Sequence, residues 1–254
     1  MDIAGKVAIV TGSATGMGRA TALLLAELGC NVVVNYTRSE AEALETAADV
    51  ELRGVKALLS RADVSSDEAC REMVQATVDA FGRVDVLVNN AGATFFVPHT
   101  DLDALTEEMW DRTLAVNVKG TFFMSRAVAG PMRAMGNGAI VNISSTAGVR
   151  AGGSSIAYAA SKAAVINLTV SMARVLAPEI RVNCVAPGFI DTRWLAQGYG
   201  ERFEAMREAQ RRNTPLREAG QPEHMAQVVV SAITGMDWVT GQTIVADGGN
   251  IIRL

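Results

Sequence analysis

The sequence predicts a single α/β domain built on a doubly wound, parallel, seven-stranded sheet with helices on both faces. Short β-branched apolar runs alternate with longer helical stretches along the whole chain. These runs are continuously apolar instead of alternating, which marks strands covered on both faces. Strand–helix–strand units joined by right-handed crossovers then give a parallel sheet. A chain of 254 residues is long enough for one large domain with a generous core. No internal repeat, low-complexity tract or linker divides it, so the domain is drawn over 1–254.

Taken in order, the expected strands are Lys6–Thr11 (KVAIVT), Asn31–Tyr36 (NVVVNY), Val55–Ser60, Val84–Asn89 (VDVLVN), Ala139–Ser144 (AIVNIS), Ile180–Ala186 (IRVNCVA) and Thr243–Ala246. Between them, Gly16–Leu28, Glu40–Arg53, Ser66–Phe81, Leu105–Ala134, Ser155–Leu176 and Pro222–Thr234 suit helices. Ser66-Asp67-Glu68 places a capping side chain and two acids at a helix start, and Gly82 follows that helix's end. The stretch from Gly188 to Pro222 offers no strand. An insert of that length beyond a strand end is a candidate substrate lid, drawn around 189–215.

Composition excludes several function classes. Hydrophobic residues make up 49% and charged residues 20%, an ordinary globular balance. A net charge of −4 gives no concentrated basic face for nucleic acid. Arg207, Arg211 and Arg212 do cluster, but Glu201, Glu204 and Glu208 are interleaved with them, which reads as a solvated helix face. Cys30, Cys70 and Cys184 are widely spaced, and His99 and His224 are the two histidines, so neither a metal site nor a disulfide framework is expected. The first residues offer no charged segment followed by an apolar stretch, so no signal peptide is expected. No uncharged apolar run reaches the ~20 residues of a membrane helix. The expected setting is cytoplasmic.

The first strand runs into Thr11-Gly12-Ser13-Ala14-Thr15-Gly16-Met17-Gly18, which opens a helix. Glycines at 12, 16 and 18 allow a tight turn and a close approach of backbone to a pyrophosphate. The helix N-terminus then offers it free N–H groups and partial positive charge. Glycine spacing alone is a weak signal, but its position between the first strand and first helix makes a dinucleotide site the expectation. At the end of the second strand an acid would bind the adenosine ribose 2′-OH, whereas a basic residue suits a 2′-phosphate. Tyr36 stands where the acid would be, and Arg38 follows beside Thr37 and Ser39. A guanidinium is a planar, multi-donor match for phosphate, so NADP(H) is the expected cofactor, with NAD as the alternative.

Tyr158 and Lys162 lie four apart and share one face of a helix. A free tyrosine, with a pKa of ~10, is a poor base at neutral pH. A neighbouring ammonium favours phenolate, so Lys162 is expected to lower the Tyr158 pKa toward the range useful for proton transfer.

With Asn89-Asn90-Ala91-Gly92, Asn117, Ser144-Ser145, Tyr158-Ala159-Ala160-Ser161-Lys162 and Pro187-Gly188-Phe189-Ile190-Asp191-Thr192, the chain resembles the short-chain dehydrogenase/reductase family over essentially its whole length. The specificity lies in several motifs in order: TGxxxGxG, NNAG, a Ser 13 residues before the Tyr, YxxxK and the PG-xxx-T segment. The resemblance implies a Rossmann-type fold and a catalytic set of Asn117, Ser145, Tyr158 and Lys162. Ser145 would bind the substrate oxygen, Lys162 would hold the nicotinamide ribose, and Asn117 would support a water path to the lysine. It also implies cofactor contacts from Gly12, Thr15, Gly16, Met17, Gly18, Tyr36, Thr37 and Arg38. Further contacts would come from Asp63 and Val64 at adenine, and from Asn89, Ala91 and Gly92 at the adenosine ribose. Pro187, Gly188, Ile190 and Thr192 would lie at the nicotinamide. For Asn89, bracing of neighbouring strands stands as an equal alternative.

The overall pattern is similar to the 3-oxoacyl-(acyl carrier protein) reductases and the glucose-dehydrogenase-like branch. Docking an acidic carrier needs basic residues near the site mouth. The stretches Ala127–Met132 and Ala177–Ile180 lack the expected ones, although Arg126 and Arg133 are close by. Thr94–Val97, Ala147–Ser154 and Phe189–Pro215 are expected to form the substrate pocket, with Phe95, Phe96, Phe189, Trp194 and Tyr199 giving it apolar character. The leading expectation is an NADPH-dependent reductase of a small or medium ketone. The alternative is a 3-oxoacyl thioester reductase, and a third is a non-catalytic cofactor sensor. The segment from Val239 to Gly249 resembles the family's tail at subunit interfaces, which implies a homotetramer, with a dimer as the alternative.

Overall fold

Successive side chains along a strand point to opposite faces of a sheet, and here both faces are apolar and covered. The computed structural model describes residues 1–252. Its strands are β1 (Val7–Val10), β2 (Asn31–Tyr36), β3 (Ala57–Arg61), β4 (Val86–Asn89), β5 (Gly138–Ile143), β6 (Ile180–Pro187) and β7 (Thr243–Ala246). They form one seven-stranded sheet in the order β3-β2-β1-β4-β5-β6-β7, with every pair parallel. Strand order reverses between β1 and β4, and a crevice opens there beyond the C-terminal strand ends.

The helices of the two faces are α1 (Gly16–Glu27), α2 (Glu40–Glu51) and α10 (Pro222–Thr234) on one side, and α3 (Asp67–Phe81), α5 (Thr121–Met135) and α7 (Ile156–Leu176) on the other. Leu25, Val50 and Ile233 pack on Ala8, Val10 and Val34, while Met73, Met124 and Met132 pack on Ile9, Leu87 and Ile140. Neighbouring residues of β1 thus serve opposite cores. By length and composition α7 could cross a membrane. Its Ser161, Lys162 and Thr169 are nevertheless buried within the fold, as befits the core helix of a doubly wound sheet.

One expectation changes at the level of elements. The stretch read as one helix over Leu105–Ala134 is α4 (Glu107–Leu114), a π-helical turn over Ala115–Gly120, and α5. Thr106 caps its start by accepting a hydrogen bond from the Met109 amide. The region without strands holds α8 (Arg193–Tyr199) and α9 (Phe203–Asn213), joined by a 3₁₀ turn at Gly200–Arg202. A short helix, α6 (Thr146–Val149), follows β5.

Candidate active site

Beyond the strand ends lies a cleft of about 890 Å³, and most of the expected site residues line it. Its floor is the loop from β1 into α1. Gly12 and Gly16 have φ of +61° and +58°, and a Cβ at Gly12 would come within 3.0 Å of Ala91 Cα. Gly18 does not line the cleft. Its Cβ would stand 2.5 Å from both the Gly12 carbonyl and the Asn90 amide, so the absence of a side chain here lets the helix seat on the loop. Thr15 caps α1 without a side-chain hydrogen bond, and the first turn carries no acid. The free amides of that turn, with the helix dipole behind them, fit a dinucleotide pyrophosphate.

Polar residues hold this loop in shape. The Asn35 side chain accepts from the Gly12 amide at 3.0 Å and donates to the Ser60 and Ala62 carbonyls, tying β2, β3 and the loop together. Asn90 donates to the Thr11 and Gly12 carbonyls, and Thr11 Oγ1 accepts from the Asn90 and Ala91 amides. Sequence reasoning assigned neither Asn35 nor Asn90. An asparagine inside the apolar run of β2 was the available signal for the first. Of the two roles expected for Asn89, the geometry favours the brace. Asn89 is buried, outside the cleft wall, and donates to Asn142 Oδ1 at 2.9 Å and Ser125 Oγ at 3.0 Å.

At the β2 end, Tyr36, Thr37, Arg38 and Ser39 line the cleft, with Asp63 and Val64 beside them from the end of β3. The Tyr36 hydroxyl donates to Glu40 Oε1 at 3.3 Å. Asp63 accepts from Ser65 and from Arg112 of α4 at 2.9 Å. Burial raises the Asp63 pKa, but these hydrogen bonds outweigh it and hold the carboxyl below its usual range.

The opposite wall carries the catalytic candidates. Ser145 caps α6, and its hydroxyl accepts from the Ala147 amide at 3.1 Å. Ser155 caps α7 by accepting from the Tyr158 amide at 3.2 Å, which sets the register that places Tyr158 and Lys162 on the cleft side. Lys162 Nζ donates to the Ile143 carbonyl at 2.8 Å and stands 5.6 Å from the Tyr158 ring centre. Ser144 and Ser145 both border the cleft, but the Ser144 hydroxyl is buried and spent on the Lys162 carbonyl at 2.7 Å, whereas the Ser145 hydroxyl meets Tyr158. Asn117 sits in the π-helical turn and is buried behind the wall. Its amide donates to the Ala93 carbonyl and Ser161 Oγ, and its oxygen accepts from the Ala93 amide. A Cβ on Gly92 would lie 3.6 Å from Asn117 Oδ1 and 3.8 Å from Lys162 Nζ, so the two side chains flank that glycine.

The electrostatics correct one expectation. Burial pushes the Tyr158 phenol up to about 12, and the facing Ser145 hydroxyl only partly opposes it. Burial also brings Lys162 down to about 8. Lys162 does not bring the Tyr158 pKa down to the useful range, because desolvation dominates. At neutral pH the phenol keeps its proton and can donate it.

Pro187, Gly188, Ile190 and Thr192 follow β6 along the cleft, and Thr192 Cγ2 faces Gly16. Above them, Phe96 packs edge-on against Tyr199 and Trp194, with centroids 4.9 and 6.4 Å away, and Trp194 meets Tyr158 at 6.2 Å. Phe189 stacks on Phe203. The loop after β4 is tied to the one before α7 by Thr94 and Ser154, whose hydroxyls are 2.6 Å apart. The result is an apolar chamber over Ser145 and Tyr158. Among the described residues no group of His, Cys, Asp and Glu could hold a metal ion.

Comparison with known proteins agrees with this geometry. The family model described as short chain dehydrogenase matches residues 6–200. The chain is 43% identical over 243 residues to "Granaticin polyketide synthase putative ketoacyl reductase 2" of Streptomyces violaceoruber, covering 96% of this chain and 95% of that one. It is 38% identical to the 3-oxoacyl-(acyl-carrier-protein) reductase FabG of Thermotoga maritima, covering 99% and 100%. The crystal structure of levodione reductase matches with a TM-score of 0.89 at 31% identity, covering 97% and 98%.

Proposed function

The chain belongs to the short-chain dehydrogenase family, an oxidoreductase family that works with nicotinamide cofactors, and from that premise we propose that it is an NADPH-dependent reductase of a small or medium free ketone. The observation that carries this reading is the facing of two walls across one cleft. One is the N-terminus of α1, whose amides no side chain takes up, and the other bears Ser145, Tyr158 and Lys162, with the phenol still protonated at neutral pH.

The residues that would hold the dinucleotide are Gly12, Thr15, Gly16 and Met17 at the pyrophosphate, and Asp63, Val64, Ala91 and Gly92 around the adenosine. Pro187, Gly188, Ile190 and Thr192 line its nicotinamide end. Thr37 and Arg38 lie where a 2′-phosphate would sit. Arg38 is exposed and has no carboxylate within 4.0 Å among the described residues, so its charge is free for such a group. When bound, a reduced nicotinamide supplies the hydride for a carbonyl carbon. Ser145 and Tyr158 orient the carbonyl oxygen by hydrogen bonds, and Tyr158 gives up its proton to that oxygen as negative charge develops there. Lys162 keeps positive charge near the phenolate left behind, and Asn117 fixes the backbone at Ala93 that walls this corner. The α8–α9 segment acts as the lid and excludes water with Trp194, Tyr199 and Phe189.

Reduction of 3-oxoacyl thioesters is the second reading, favoured by the names of the relatives at 43% and 38% identity. The two arginines nearest the carrier-docking positions are engaged elsewhere. Arg126 pairs with Asp67 over the Phe122 and Phe123 rings, and Arg133 donates to the Val175 carbonyl at 2.9 Å. That supports a free substrate over a carrier-bound one. A homotetramer is the proposed assembly, with a dimer as the alternative. Exposed Trp238 and Ile252 near the β7 edge, and Val170 and Val175 on α7, supply apolar surface for it. Three buried free thiols fit a reducing, cytoplasmic setting.

The test is a separate titration with NADPH and NADH, followed by nicotinamide fluorescence, with each complex then offered free ketones and 3-oxoacyl thioesters. Tighter NADPH binding with turnover of free ketones is expected. Preference for NADH would remove the role given to Arg38, and turnover confined to thioesters would put the second reading first.

A further inference from the structure

The cleft is markedly basic for a chain of net charge −4. Arg38, Arg112, Arg150, Lys162 and Arg193 line it, and Asp63 is the acid among its lining residues. Most of this charge is already engaged. Arg112 pairs with Asp63 at 2.9 Å and Arg193 with Glu42 at 2.7 Å, while Lys162, buried against the Ile143 carbonyl, belongs to the catalytic wall already described. Arg38 and Arg150 remain, each without a carboxylate within 4.0 Å among the described residues. They lie at opposite ends of the cleft. Arg38 follows β2, at the end proposed for the cofactor phosphate. Arg150 follows α6 on the β5 side and reaches Asn250 beyond β7, three residues from Gly153, whose Cβ would touch the Tyr158 ring at 3.4 Å.

Arg150 is also oriented. Its Nη2 donates to Asn250 Oδ1 at 3.2 Å, and the largely buried Asn250 in turn donates to Gln210 Oε1 of α9. Both amides line the same cleft. One hydrogen bond of this kind fixes the direction of a guanidinium and leaves most of its donors open. A neutral amide partner also leaves the full charge uncompensated. That arrangement suits a planar or tetrahedral anion.

We propose that Arg150, positioned by Asn250 and Gln210, is a specificity residue that binds an anionic group on the substrate, distal to the carbonyl that Tyr158 protonates. This rests on the reductase reading and names its substrate class: a ketone with an apolar body, held by the aromatic chamber, and a negatively charged end. The anion is a carboxylate of a keto acid, or a phosphate of a coenzyme A-type thioester.

The experiment compares wild type, Arg150→Gln and Arg150→Lys in NADPH-dependent turnover of four substrates. These are a medium-chain keto acid, its methyl ester, a 3-oxoacyl-coenzyme A and the matching N-acetylcysteamine thioester, which lacks phosphate. Arg150→Gln removes the charge while keeping an amide that can reach Asn250. The expected result is a KM raised about tenfold or more for the charged member of a pair, from the loss of a charge-assisted contact. Its kcat changes little, the neutral member is unaffected, and Arg150→Lys restores much of the loss. Confinement of the effect to the acid and ester pair identifies a carboxylate, and confinement to the thioester pair identifies a phosphate. Equal loss on all four substrates would make Arg150 a strap for the lid and overturn the proposal, as would no loss on any. Wild-type protein that turns over none of the four would overturn the reductase reading itself.

Discussion

Tyr158 and Lys162 share a cleft wall that is dry enough to shift both away from their solution behaviour, the phenol up to about 12 and the ammonium down to about 8. The sign of the stability effect differs between them. For Lys162 the folded pKa lies below the unfolded one, so the unfolded chain binds more protons between about pH 8 and 10.5. Stability therefore rises with pH across that window, and below it the full cost of burying the ammonium is present. The shift corresponds to about 3 kcal/mol. Tyr158 acts in the opposite sense, but only between about pH 10 and 12. Urea denaturation of wild type and Lys162→Met at pH 7.5 and 9.5 should show wild type gaining on the variant as pH rises. An unchanged difference would mean the lysine is not desolvated. Arg38→Gln should weaken NADPH binding by roughly 10–100-fold and leave NADH binding nearly unchanged, read by fluorescence titration. Much of the site at this scale was legible, because Ser145, Tyr158, Lys162 and Gly12 sit at spacings tied to local elements. The direction of the Tyr158 shift was not, since desolvation depends on the lid and the chamber walls, which no short spacing encodes. Asn89 and Asn90 are adjacent in sequence but point to opposite sides of β4's end, one into a buried brace and the other onto the glycine loop. That difference is set by strand register alone.

Short elements carry the precision of the site. Helix α6 is one turn long, yet it holds Ser145 against α7. A Cβ on Gly148 would lie 2.5–2.7 Å from the backbone of Lys162 and Ala163, with no flexible side chain to give way. Gly148→Ala should therefore push α6 off α7, cost about 1–3 kcal/mol by overpacking, and reduce kcat far more than NADPH affinity. Thermal denaturation together with kinetics checks both halves, and normal turnover in the variant would mean α6 does not set Ser145. The seven strands and the helices between them were legible from apolar runs and caps such as Ser66 and Ser155. The π-helical turn at Ala115–Gly120 was not, because it follows from Asn117 reaching the Ala93 backbone across the fold. Helices α8 and α9 were equally hidden. Helix α8 gains order by packing Trp194 and Tyr199 on Phe96, and α9 by stacking Phe203 on Phe189, which are tertiary events.

For the whole molecule, the doubly wound sheet places the α1 N-terminus, proposed for the cofactor phosphates, and Tyr158, the proposed proton donor, on facing walls of one crevice. The order β3-β2-β1-β4-β5-β6-β7 does this by running outward in both directions from the switch point. The end proposed for the adenosine and pyrophosphate, on β1 to β3, and the proposed catalytic wall, on β5 to β7, are separate enough for binding and chemistry to be removed independently. Tyr158→Phe is the direct test of that claim, since it deletes one hydroxyl and keeps the ring that packs on Trp194. NADPH affinity and ketone turnover would be measured on the same preparation. The account predicts near-wild-type binding with turnover lowered by at least about 10²-fold, the smaller end of what general acid catalysis contributes. A variant that keeps most of its turnover would contradict it.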